Sequence, residues 1–326
     1  MPDISWLADY EALTAGAGLI DLAERTQLEF HGEDRAAFLH NLCTNDIRKL
    51  APYAGCEAFV TTVQGKTLAF VSVFSGPDSL VLETVPAQGE KLRQHFDKYL
   101  IREKVEITNR SNDWAGWLLA GRRAEDVLRS ALSHGEIPAE LMASSPATLA
   151  HTNIWIRRVD LAGPIGFLID CQRGDYTHVG SLLQKAGAHR CAHEAFEAAR
   201  IESGFPLFGH DITENNLPQE VARDTRAISF TKGCYLGQET VARIDSLGHV
   251  NRTLVGLRYL QEHVPKPSAT VLAGDEPVGT VTSSTWSPKL NSPLALGYVR
   301  RGHNLPGTRL ASTIGPAEVE VMSLPA

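Results

Sequence analysis

The 326-residue chain is 43% hydrophobic and 21% charged, and 38 acidic against 31 basic side chains leave a net charge of −7. That apolar fraction excludes a disordered chain, and the acidic balance excludes a protein that holds nucleic acid through a broad basic face. At roughly 150 residues per domain the length predicts two or three domains. No apolar run approaches the roughly 18 residues a membrane span needs. Met1 to Ile20 carries Asp3, Asp9 and Glu11 but no Lys or Arg, the wrong charge for a signal peptide. The five cysteines, Cys43, Cys56, Cys171, Cys191 and Cys234, are odd in number, widely spaced and free of any CxxC. A reducing, cytoplasmic setting without a disulfide framework is expected.

In chain order, Ile4 to Gly18 reads as a helix ended by glycine, and Ala23 to His31 alternates as a strand around Leu28 and Phe30. Asp34 then caps a helix with Phe38, Leu39 and Leu42 on one face, stopped by Thr44-Asn45-Asp46. Glu57 to Phe74 predicts a hairpin turning at Gln64-Gly65-Lys66, and Leu80 to Val85 a further strand. Pro86 to Leu100 predicts a helix, Val105 to Thr108 and Trp114 to Ala120 strands, and Ala124 to Ser133 a short helix. Pro138 to Thr152 reads as loop around Ser144-Ser145-Pro146. Strands Ile154 to Val159 and Gly166 to Ile169 follow, then helices Thr177 to Ala186 and His193 to Ser203. Beyond Asn251 short alternating runs bounded by Gly or Pro predict a small β-barrel or sandwich: 254–260, 270–273, 278–283, 294–299, 308–314 and 318–322. The front part mixes strands and helices in an α+β manner without a doubly wound rhythm.

Nucleotide and hydrolase motifs (GxxxxGK[ST], HExxH, GxSxG) are missing, and Gly16-Ala17-Gly18 reads as a helix end rather than a dinucleotide fingerprint. His189-Arg190-Cys191-Ala192-His193 would place three metal ligands on one face of a strand. With no second cluster to close a tetrahedral site, a surface strand–helix junction is the better reading and no metal is expected.

Two segments carry the chemistry. In Phe230-Thr231-Lys232-Gly233-Cys234-Tyr235-Leu236-Gly237-Gln238-Glu239-Thr240-Val241-Ala242-Arg243, two glycines flank a cysteine and two cations lie close in sequence. Nearby positive charge favours the thiolate, the nucleophilic and metal-binding form. Gln238 and Glu239 would orient a ligand or cap a helix; the plainer alternative is a glycine-rich loop around a structural cysteine. In Arg200-Ile201-Glu202-Ser203-Gly204-Phe205-Pro206, Glu202 falls in the last turn of a helix, where the macrodipole disfavours an anion. It needs Arg200 or a hydrogen-bond-donating ligand, and a pterin offers such donors.

Lys232-Gly233-Cys234-Tyr235-Leu236-Gly237-Gln238-Glu239 followed by Arg243 resembles the signature of the YgfZ family of folate-binding proteins, relatives of the glycine cleavage T-protein. Gly18 to Arg25, Phe38 to Asp46, Arg200-x-Glu202-x-Gly204-x-Pro206, Pro218-x-Glu220 and Gly279 to Ser283 resemble further family blocks. The resemblance implies an α+β fold: two interleaved ferredoxin-like units in residues 1–250, the second near 51–112, and a small C-terminal β-barrel in 251–326, ringed around a central cavity. It implies tetrahydrofolate as ligand, its pterin bound by Glu202 with Arg200 beside it. Lys232 and Cys234 would line the cavity mouth, and Asp21 and Asn45 would shape its floor. It further implies a role in iron–sulfur cluster assembly, with assembly proteins and cluster enzymes, including tRNA-modifying ones, as partners and no stable nucleic-acid or membrane binding. Cys234, Lys232 and Arg243 would be the reactive group and Glu202, Arg200, Asp21, Asn45, Gln238 and Glu239 the folate contacts. The T-protein's carboxylate after the first hairpin is missing here, where Thr67-Leu68-Ala69-Phe70 follows the turn. None of these can move a proton, which disfavours aminomethyl transfer. A folate-dependent one-carbon transferase and a ligand-free structural or tRNA-binding protein are the alternatives.

Overall fold

The computed structural model describes residues 4–312 and 317–325. It is a mixed α/β structure built from two antiparallel-rich sheets and a closed C-terminal barrel. The chain lays down the helix Leu7–Thr14 and the strand Gly18–Asp21. It then leaves to build a five-stranded sheet in the order Gly55–Thr61, Thr67–Ser75, Ser79–Thr84, Thr26–His31, Glu106–Asn109. It returns at Trp114–Ala120, which pairs antiparallel with Gly18–Asp21 in a seven-stranded sheet. The two units are therefore interleaved, as the family resemblance implied.

The strand Gly18–Asp21, of which only Gly18 fell in an expected element as the end of the preceding helix, is buried at its first three positions and also pairs in parallel with His189–Arg190. The region read as loop, Pro138 to Thr152, contains the strand Ser144–Leu149, and the residues expected to end the helix Ala124 to Ser133 instead open a short strand, Leu132–Gly135. Pro146 obscured the strand Ser144–Leu149, yet Ala147 and Leu149 alternate inward into the core. A helix over Gln238–Leu247 also went unread, because its amphipathic face is weak: only Val241 is buried.

Six strands close the barrel, from Arg252–Tyr259 round to Ala317–Met322, which pairs back on the first. The expected runs over 254–260, 270–273, 278–283, 294–299 and 318–322 fall on barrel strands, with Leu260 one residue past the end of the first. That over 308–314 matches Arg309–Ser312, its last two residues lying outside those described. Leu254, Leu294, Leu296 and Tyr298 of the barrel pack on Ile201 of the helix His193–Glu202. No helix among the described residues is long and apolar enough to cross a membrane.

Candidate functional site

The cysteine loop is held from several directions. Gly65, in the left-handed region at φ 74°, and Gly237 at φ 81° approach so closely that a Cβ on Gly237 would lie 2.5 Å from the Thr62 carbonyl oxygen. Only glycine permits that contact, which seats the loop on the Gln64–Lys66 hairpin. Leu236 N–H donates to the Asn41 carbonyl at 2.9 Å, and the Thr61 hydroxyl donates to the Leu236 carbonyl at 2.6 Å.

Lys232 is buried, and its ammonium donates to three carbonyls, those of His40 (2.5 Å), Cys43 (2.7 Å) and Asn45 (2.8 Å), while lying 4.7 Å from the Tyr235 ring centre. An ammonium has three donors, so all are used. Burial pulls its pKa down, against the nearby Cys43 and Asp46. Burial also pushes the Cys43 thiol up to about 11.

This corrects the expected role of Lys232. It faces the turn 40–45, with Cys43 and Cys56 as its sulfur neighbours, rather than lining a cavity mouth beside Cys234. Cys234 stands exposed on the outside of the locked loop. Arg243 lies in the second turn of the following helix, exposed and, among the described residues, in no ion pair. Gln238 is half-buried at that helix's first position, with Glu239 exposed beside it.

The other expected folate contacts are engaged elsewhere. Asn45 donates through its amide to the carbonyls of Glu57 and Arg226, both at 2.8 Å, and accepts from Asp46 N–H, so it sews the turn to its neighbours. Asp21 is exposed at a strand end, where it accepts from the Tyr176 hydroxyl and the Ala23 N–H. Arg190 lies 3.6 Å from its other oxygen.

Arg200 is fully buried. It pairs with Glu197 (2.6 Å) and Asp211 (2.9 Å) and donates to Ser283 of the barrel (2.9 Å). Burial works against its charge, and the two carboxylates outweigh it. Glu202 accepts from the Tyr10 hydroxyl (2.6 Å), the Ser287 hydroxyl and Lys289 N–H (3.2 Å). Both residues therefore rivet the helix His193–Glu202 to the barrel, and the anion at the helix end accepts from three protein donors. Glu202→Ala is expected to lower stability by about 1–3 kcal/mol by stranding those donors, read as a lower midpoint in urea unfolding.

The centre of the molecule holds groups that sequence reasoning missed. Phe59, Phe70 and Phe205 form a run of rings with centroids 5.0 and 6.0 Å apart, and the Arg223 guanidinium lies 5.1 Å from the Phe205 ring. Arg223 pairs with buried Glu57, and Arg226 bridges Glu57 (2.8 Å) and Asp160 (2.6 Å). Nearby, Arg157 serves two buried carboxylates, Glu83 and Asp170 (2.5 Å to the latter), with Gln27 donating to Asp170 at 3.2 Å. Burial, then Glu83, push the Asp170 carboxyl up to about 7, against the pull of Arg157 and Arg25.

Two small cavities flank this cluster. One of about 20 Å³ is lined by Arg25, Phe70, Glu83, Phe205 and Phe208; one of about 50 Å³ is lined by Phe74, Arg110, Trp155 and Arg157. Among the described residues Glu83 Oε2, Arg25 Nε and Arg157 Nε have no hydrogen-bond partner. Buried polar atoms are nearly always paired, so these atoms, beside two cavities, make the centre a candidate for holding water or a ligand. Its sequence signal was present: Glu57 in Cys-Glu-Ala-Phe-Val and Glu83 in Leu-Val-Leu-Glu-Thr-Val are charges inside apolar strands. A larger groove of about 940 Å³, lined by Gln219, Asp224, Asp245 and Arg301, opens outside between the 238–247 helix and the barrel.

Two interleaved sheet units and a closed C-terminal barrel define a multidomain α+β protein. A model described as the GCVT N-terminal domain matches residues 3–232, and one described as the glycine cleavage T-protein C-terminal barrel domain matches 252–326. The chain belongs to the glycine cleavage T-protein family. It is 26% identical over 307 residues to an aminomethyltransferase of Bacillus pumilus, covering 92% of this chain and 84% of the relative. It is 27% identical over 320 residues to one of Symbiobacterium thermophilum, covering 94% and 84%. Its fold matches the crystal structure of the glycine cleavage system aminomethyltransferase T from Bartonella henselae at a TM-score of 0.88 and 20% identity, over 98% of this chain and 88% of that one.

Proposed function

We propose that this chain is a tetrahydrofolate-binding accessory factor in iron–sulfur cluster assembly or repair, a YgfZ-type member of its family acting in the cytoplasm. Its clients would be cluster enzymes, including those that modify tRNA. The observation that carries the reading is the exposed Cys234 on a loop fixed by the Lys232 ammonium. A rigidly held outward thiol suits sulfur or cluster exchange with a docked assembly protein better than chemistry inside a pocket. One thiolate cannot hold a cluster by itself, since clusters use about four such ligands, so a partner would complete the site.

Tetrahydrofolate is the cofactor of the family's aminomethyltransferases, and the central residues suit it. A pterin edge carries adjacent N–H donors and a carbonyl acceptor. Glu83 offers an unpaired carboxylate oxygen and Arg25 an unpaired N–H, between the rings of Phe70 and Phe205. The cavity now has room for about one water. A ring would enter only if Leu207 and Phe208, next to the left-handed Gly209, swing away.

Tetrahydrofolate at about 100 times its Kd is expected to add about 2.7 kcal/mol of stability, visible as a rise in Tm that Glu83→Gln abolishes. In cells lacking the gene, Cys234→Ala is expected to leave cluster-enzyme activity low while its purified form still shows the folate shift. Full rescue by Cys234→Ala would remove the thiol from the mechanism. A second reading, a one-carbon transferase with a relocated acid–base group, is favoured by the Asp170 carboxyl near neutrality. Aminomethyl turnover that survives Cys234→Ala and fails in Asp170→Asn would establish it in place of the first.

A further inference from the structure

The His189-Arg190-Cys191-Ala192-His193 run acquires a different third member in three dimensions. His193 begins the helix His193–Glu202 and turns to Glu197, 3.7 Å away. In its place the helix Leu7–Thr14 brings Asp9. The His189 Nε2, Asp9 carboxylate and Cys191 Sγ ligand atoms all lie within 4.8 Å of one another.

His189 and Cys191 share a face because alternate residues of an extended segment do. The backbone continues the edge ladder, with His189 N–H on the Ala17 carbonyl and Cys191 N–H on the Leu19 carbonyl, both at 2.9 Å. Arg190 stands over the Trp117 ring at 5.6 Å. Asp9 is preset: one oxygen accepts Ala192 N–H at 2.8 Å, leaving the other 2.7 Å from His189 Nε2. Cys191 Sγ lies 3.2 Å from the His189 carbonyl oxygen and 3.4 Å from that of Asp9, weak partners for a thiol.

We propose that Asp9, His189 and Cys191 form a binding site for a borderline divalent transition metal of the Zn²⁺ type, separate from the Cys234 loop and the central cavities. Imidazole, carboxylate and thiolate together select Zn²⁺ or Co²⁺ over Mg²⁺ or Ca²⁺. Tetrahedral ligands around bonds near 2.0 Å stand about 3.3 Å apart, so the exposed His189 ring draws back by roughly half an ångström to admit the ion. On binding, the metal–sulfur bond replaces the S–H bond and the proton leaves to solvent. Three protein ligands leave a fourth position for water or another ligand, and the ion ties the first helix to the sheet edge.

The test uses the full chain, chelator-treated and titrated with Co²⁺, whose bond to a thiolate gives a near-ultraviolet charge-transfer band. One equivalent is expected to develop the band in wild type and in Cys234→Ser, and none in Cys191→Ser. His189→Gln, on the surface and compatible with folding, is expected to weaken Co²⁺ affinity at least tenfold, and Zn²⁺ to raise the Tm of wild type but not of Asp9→Asn. Absence of the band in wild type, or its persistence in Cys191→Ser, would overturn the proposal and leave the Cys234 reading untouched.

Discussion

Arg157→Met is expected to cost the fold about 3–5 kcal/mol, the scale for removing one partner from a buried ion pair. The loss should appear as a large drop in the urea midpoint with little change in slope. Glu83 and Asp170 are buried to 0% and 1% exposure, and Arg157 is their shared ion-pair partner. Methionine fills similar volume beside Phe74, whose ring lies 4.9 Å from the guanidinium, so the deficit is electrostatic rather than a cavity.

The same cluster gives a pH signature. The Asp170 carboxyl is raised from 3.8 to about 7 in the folded chain, so between those values the native state binds a proton that the unfolded chain releases. This contribution is full below about pH 4 and is lost as pH rises through about 7. The slope of stability against pH should carry a component of up to about 1.4 kcal/mol per unit in that window, and Asp170→Asn should remove it. An unchanged slope in Asp170→Asn would show that the group does not hold its proton.

Lys232→Met is expected to be nearly as damaging, about 3–4 kcal/mol, because it strands three carbonyl acceptors around a buried site at once. Lys232→Arg should recover only part of this, since a planar fork cannot reproduce three donors converging from one nitrogen. Urea unfolding measures both. Protease susceptibility should rise at the 230–237 loop in Lys232→Met, because the clamp holds that loop to the turn 40–45. Wild-type stability in Lys232→Met would refute a structural role for the ammonium.

These variants mark what the sequence could and could not convey. The hairpin at Gln64–Lys66, the barrel strands and the helix ending in Glu202 were legible because their apolar periods and glycine punctuation are local. Strand Ser144–Leu149 was hidden by Pro146, and strand Gly18–Asp21 by its brevity, four residues with no alternation of burial among the first three. The site was less legible for a physical reason. A charged residue's role depends on which distant group reaches it, and sequence spacing does not report that. Lys232 lies two positions from Cys234 yet spends its donors on a turn near residue 43. Glu202 looked like a ligand-seeking anion until Tyr10 and Ser287 arrived to satisfy it. Glu57 and Glu83 were visible as charges in apolar strands, but only the fold brings Arg223 and Arg157 to them.

The Lys232 clamp also bears on how the protein is made. Its acceptors are 187 to 192 residues earlier in the chain, and the Tyr10–Glu202 bond spans 192. A ribosome delivers the turn at 40–45 long before the side chain that secures it. At roughly 5–20 residues per second the wait lasts on the order of ten seconds or more. During translation the first sheet has its strands but not its lock, so nascent chains cut short of Lys232 should remain open to chaperone capture. Those extended past it should become protected together, in a late and concerted step.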